Sequence, residues 1–273
     1  MFGIRRRQNV TPFEPPDRAE PSAGPAAAAP KQFVRSIRFQ SYAETSLDEC
    51  DLTVDGGAPS FVIGFVSPHL DFRTVARQIK ARLSPDTRFI AVSTAGELSS
   101  SPDMVGQGLY CAAPASWSTV VLQLFSPELV ADVSLHTVPL HSQDIRAGAP
   151  VLTTDQRVDA IRAELAKVRP AFDLRVTETF ALTFIDGLSA SESFLMEAVY
   201  RDGKFPCLFV GGSAGGKLDF KNTWMFDGSQ VVENVAVIAF VRMGKDKRFG
   251  VFKTHNFTPL ATSFLVCQSD AIG

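Results

Sequence analysis

Apolar and polar positions along the chain fall into short blocks with two different periods. "FVIGFV" (61–66), "FIAV" (89–92), "TVVLQLF" (119–125), "TFALTFI" (179–185), "CLFV" (207–210) and "NVAVIAFV" (234–241) are nearly unbroken apolar runs. Runs of this length bounded by turn residues predict strands buried on both faces. Between them lie stripes at spacings of three and four. Phe72, Val75, Ala76, Ile79 and Leu83 predict one helix, with Ser67 as its N-cap and Pro68 at its first position. Val158, Ile161, Leu165 and Val168 predict a second, reached through a linker rich in turn residues after Phe125. Phe194, Leu195, Ala198 and Val199 predict a third, opened by a capping box in "SASE" (189–192). "GLYCAA" (108–113), "NTWMFDG" (222–228) and "FGVFKT" (249–254) read as further strands.

These elements repeat. Phe65 aligns with Phe184, and Thr94-Ala95-Gly96 with Ser213-Ala214-Gly215, at one constant offset. Val120 then aligns with Val235 at a slightly shorter one. The expected fold class is therefore α/β. It is a layered sheet-and-helix domain of two β-α-β-β-β repeats, about 60–126 and 177–242, with pseudo-twofold symmetry. The repeat also bears on "GGSAGGK" (211–217), which resembles a phosphate-binding loop. Such a loop opens a helix whose amides hold the phosphate. No helical period follows Lys217, and the aligned turn carries Glu97, so small-Ala-Gly reads as a tight strand-end turn.

Composition narrows the functional classes. A net charge of −2 over 273 residues gives no global attraction for nucleic acid or anionic lipid. No apolar run is long enough for a membrane span. The four cysteines (Cys50, Cys111, Cys207, Cys267) have no metal-site spacing and fit a reducing, cytoplasmic setting. Residues 1–32 are Pro- and Ala-rich and predict a disordered arm.

"FIDGLSASE", "FVGGSAGG", "NTWMFDG" and "THNFTP" occur in that order and resemble the N-terminal FIST domain, a bacterial sensory domain. The likeness covers about 34–265, giving a domain at 33–268 and a short tail at 269–273 without the C-terminal FIST domain. Gly216 stands where the family usually has Asp. The resemblance implies a non-enzymatic domain that binds a small ligand, such as an amino acid. It would signal through a separate histidine kinase or cyclic-di-GMP enzyme, with no nucleic acid or membrane as partner. One branch of the family is similar to haem-binding nitric-oxide sensors.

Site candidates follow. For haem, His255 is the iron ligand, in a family-like motif with Phe252 and Phe257 beside it. His69 opens a helix, and His136 and His141 fall in a polar connection facing water. For another small ligand, the strand ends offer Asp186, Ser189, Gly212, Ser213, Ala214 and Gly215. The rival function is a hydrolase using Ser213 or Cys207, for which no motif supplies a base.

Overall fold

The computed structural model describes residues 31–40, 47, 50–99, 117–217 and 219–252. Almost all of the predicted arm, the "GLYCAA" run, His255, Phe257 and the 269–273 tail lie outside the described residues. The domain holds two sheets. The first has β1 (Val34–Gln40), β2 (Phe61–Val66), β3 (Arg88–Ser93) and β4 (Thr119–Phe125) in the order β1-β4-β2-β3. The second has β5 (Val130–Pro139), β6 (Thr179–Asp186), β7 (Leu208–Ala214) and β10 (Val235–Met243) in the order β5-β10-β6-β7. Each sheet thus has an inner strand, β2 or β6, with a parallel neighbour on one side and an antiparallel one on the other. Two short strands, β8 (Met225–Phe226) and β9 (Val231–Val232), come from the second half of the chain but extend the first sheet beyond β3.

Strand alternation builds the layers. Val62 and Val66 of β2 face α1 (Phe72–Arg82), which buries Phe72, Val75, Ala76 and Ile79 against them. Phe61 and Ile63 point the other way and meet Val237, Ala239 and Val241 of β10 between the sheets. Phe65 and Phe184, aligned by the sequence repeat, also touch there, edge to face at 6.3 Å. The outer face of the second sheet is covered by α3 (Thr154–Leu165) and α4 (Glu192–Asp202). Val158, Ile161, Leu165, Leu195 and Ala198 pack there on Ala181, Ile238 and Phe240. Each fully buried aliphatic or aromatic side chain contributes about 1.5–3 kcal/mol, so both outer layers are held by burial.

Several boundaries differ from the sequence reading. α1 begins at Phe72 with Asp71 as its cap, Asp71 Oδ1 accepting from Thr74 N. Ser67 is buried and donates to the Trp117 carbonyl instead. "SASE" is not a capping box, because Ser189 Oγ donates to the Asp186 carbonyl and Ser191 precedes α4 without a side-chain cap bond. The capping box is on α3, between Thr153 and Gln156. The turn-rich linker contains β5 and a four-residue helix, α2 (Gln143–Arg146). His136 therefore lies on a strand, half-buried with its ring edge-on to Phe240, and burial pushes its imidazole pKa down. Residues 249–252 of "FGVFKT" are not a strand.

The sheets meet backbone to backbone at the ends of β3 and β7. Gly215 N donates to Ser93 O at 2.9 Å, and Ser93 Oγ donates to Gly215 O at 2.6 Å. A Cβ on Gly215 would sit 2.7 Å from Ala95 N and 2.9 Å from the Thr94 carbonyl carbon. A Cβ on Gly212 would meet nothing within 4 Å. Gly215→Ala is therefore expected to lose about 1–3 kcal/mol by overpacking. Gly212→Ala is expected to be neutral or slightly stabilising. Urea unfolding of both variants checks this, and equal midpoints would contradict it.

Candidate functional site

Four consecutive residues of β7, Val210 to Ser213, line a cavity of about 280 Å³ beneath α4. Its remaining walls are Thr183 and Ile185 of β6, Phe209 of β7, and Glu192 and Met196 of α4. The position follows from the sequence. The parallel β6–β7 pair carries its chain out at one end, and α4 returns over that end, so its first turn hangs over the last residues of β7. Ligands in α/β sheets favour such carboxyl ends.

The polar groups converge. Ser213 Oγ donates to Glu192 Oε1 at 2.5 Å. Thr183, 4% exposed, has a buried hydroxyl without a hydrogen-bond partner among the described residues. An unmade hydrogen bond at a buried hydroxyl costs about 1–3 kcal/mol. Met196 and Phe209 supply an apolar wall. The arrangement offers a carboxylate, two hydroxyls and a greasy side, which suits a small molecule carrying both a donor and an apolar group.

The candidates from the sequence separate into three groups. Gly212 and Ser213 line this cavity. Ala214 and Gly215 line a smaller one of about 180 Å³ on the other side of β7, with Gly187, Lys217 and Thr223. Asp186 and Ser189 line neither, being 1% and 0% exposed. Asp186 accepts from Leu188 N, Thr223 Oγ1, Asn234 N and the Arg146 guanidinium, so its lone pairs are committed inside the protein. It ties β6 to α2 and to the turn before β10.

The aromatic candidate Phe252 is 85% exposed, at the mouth of a third cavity of about 290 Å³ shared with Phe180, Val210, Phe249 and Val251. The His69 ring meets Trp117 edge-on, with centroids 4.6 Å apart, and His141 Nε2 lies 3.6 Å from Glu164. Among the described residues no group of His, Cys, Asp and Glu is placed to hold a metal ion. Burial pushes the Cys207 thiol up to about 11, so it stays protonated near neutral pH and lacks the thiolate a nucleophile needs.

Sequence reasoning missed Thr183 and the pairing role of Glu192. A threonine inside the otherwise apolar "TFALTFI" was the available signal, since a buried hydroxyl without local backbone partners needs one from elsewhere.

Two helix-covered sheets with a polar cavity at the strand ends define a layered α/β domain. The family model of the FIST N domain matches residues 60–272, and the chain belongs to that family, which is a sensory domain family of signal transduction. No curated protein matches the chain. No helix among the described residues is long and apolar enough to cross a membrane.

A second buried acid lies on the turn after β3. Glu97 is 2% exposed, with Oε1 accepting from Thr94 Oγ1 and Trp117 Nε1 and Oε2 without a hydrogen-bond partner among the described residues. Burial holds its carboxyl above the usual range, against the lowering effect of those two donors. A raised folded pKa contributes stability that is present below the unfolded value and lost as pH rises through the folded one. Wild type should therefore lose stability relative to Glu97→Gln as pH rises over the range above about pH 4. Urea midpoints across that range check the sign; parallel pH profiles would refute it.

Proposed function

We propose that this chain is a small-ligand-binding sensory domain and that the cavity beneath α4 is its ligand site. The carrying observation is the unpartnered Thr183 hydroxyl beside the Ser213–Glu192 pair. The ligand is of amino-acid type. Its amine meets Glu192, its polar remainder meets Thr183 and Ser213, and its side chain lies on Met196 and Phe209. The volume of about 280 Å³ is at the lower end of the ~300–1,000 Å³ typical of ligand pockets, which favours a small metabolite. Binding orders α4 against β7, and a separate cytoplasmic partner, a histidine kinase or cyclic-di-GMP enzyme, reads that state.

Thermal unfolding against a panel of amino acids and small amines tests the reading. One compound should raise the melting temperature with the logarithm of its concentration, the stabilisation reaching about 2.7 kcal/mol at a hundredfold excess over Kd. The shift should vanish in Glu192→Gln and shrink in Thr183→Val. A flat panel, or a shift retained in both variants, would sink it. Ser213 bonded to a carboxylate is also the first half of a hydrolytic dyad. Ester turnover abolished by Ser213→Ala would replace binding by catalysis.

A second reading keeps haem, with His255 on the iron and Phe252 and Phe257 beside it. The apolar cavity of Phe180, Phe249 and Phe252 favours it. The described residues give that cavity an apolar wall but no axial ligand. Haemin titration decides: a Soret band lost in His255→Ala supports the reading, and no specific band in wild type removes it.

A further inference from the structure

Among the described residues the two sheets have four edges, and three are blunted in recognisable ways. β1 carries Arg35 and Arg38. β9 is two residues long and runs into Glu233. β5 carries Asp132 and His136 and ends on Pro139. Charge, shortness and proline are the devices that keep edge strands from pairing with other chains.

β7 has none of them. Its sequence, Leu208-Phe209-Val210-Gly211-Gly212-Ser213-Ala214, holds no charge and no proline, and among the described residues it pairs only with β6. Leu208, Gly211, Gly212 and Ser213 are exposed. Apolar side chains flank the strand: Leu208 is 46% exposed, Val251 52% and Phe252 85%. An edge of this kind, seven residues long, presents unpaired backbone groups beside a greasy patch.

We infer that β7 is a docking strand for a second copy of this chain. The two β7 strands run antiparallel about a two-fold axis at Gly211 and join two four-stranded sheets into one. The sequence of the strand selects this occupant. Its three large residues come first and its four small ones last, so antiparallel self-pairing sets every large residue against a small one. Leu208 faces Ala214, Phe209 faces Ser213, Val210 faces Gly212, and Gly211 faces itself. No charge within the strand opposes a like charge. Phe209 of the second copy then lies opposite Ser213, at the open side of the cavity beneath α4. The pairing stands on the strand's own geometry and does not depend on the ligand reading.

Analytical ultracentrifugation of the full chain without added ligand tests this, with hydrogen exchange on the β7 amides. Wild type should sediment with the mass of two chains, and the outward-facing β7 amides should exchange slowly. Leu208→Lys should give one-chain mass and fast exchange at those amides while keeping the wild-type circular dichroism and a single cooperative unfolding transition. Should that variant misfold, Gly212→Lys, whose Cβ meets open space, should do the same. Val151→Lys, at an exposed apolar residue before α3, should remain dimeric. A wild type that is monomeric at all concentrations overturns the proposal, as does a dimer that survives well-folded Leu208→Lys and Gly212→Lys. A monomer with protected outward β7 amides assigns the edge to a segment of the same chain and also overturns it.

Discussion

The contact between Ser93 and Gly215 sets the rest of the architecture. It is a backbone crossing at the ends of β3 and β7, fully buried on the Ser93 side. Ser93 satisfies both chains at once: its hydroxyl donates to Gly215 O and accepts from Trp224 N, while its own N–H donates to Trp224 O. Two backbones this close leave no room for a side chain, and an unmade bond here would leave buried amides unpaired. The second half of the chain must therefore pass the first on a run of small residues. Trp224 and its neighbours are drawn across to extend the first sheet as β8.

That requirement shapes the second sheet. Gly211 lies against the Thr183 carbonyl, where a Cβ would come within 1.8 Å, and Gly187 lies against the Ala214 carbonyl. β7 is consequently a strand with little side-chain bulk over its last four residues. α4 covers it without filling the space, and the cavity with Thr183, Glu192 and Ser213 is what remains. The same poverty of side chains leaves β7 without the charges that blunt the other edges. Site and bare edge are thus two consequences of one packing constraint.

Much of this was legible in the sequence because burial imposes periodicity. The strands of both inner pairs, the three main helical stripes and the turn reading of "GGSAGGK" follow from spacing, and the structure puts that segment at a strand end with no helix after Lys217 among the described residues. β5 was not legible. It is an edge strand with Ser134 and His136 among its valines, and those polar residues satisfy each other at 2.9 Å, so its alternation reads as a polar loop. The caps were misread for a related reason. Ser67 and Ser189 are the right residue types before a helix, but both hydroxyls are taken by backbone carbonyls, and capping passes to Asp71 on α1. Gly212 and Ser213 are positions that the strand-end rule singles out, and both line the cavity beneath α4. Glu192 was assigned to a cap, and Asp186 to a ligand, because sequence spacing cannot tell which carboxylate is already satisfied within the fold.

The central claim is that the ligand of this sensory domain sits between β7 and α4. The most direct measurement is an amide-resolved NMR titration with the compound that most stabilises the protein. The account predicts the largest saturable shifts at Thr183, Glu192, Met196 and Gly211 to Ser213. Shifts concentrated instead at Phe180 and Phe249 to Phe252, with those amides unmoved, would place the ligand on the opposite face of the sheet and contradict it.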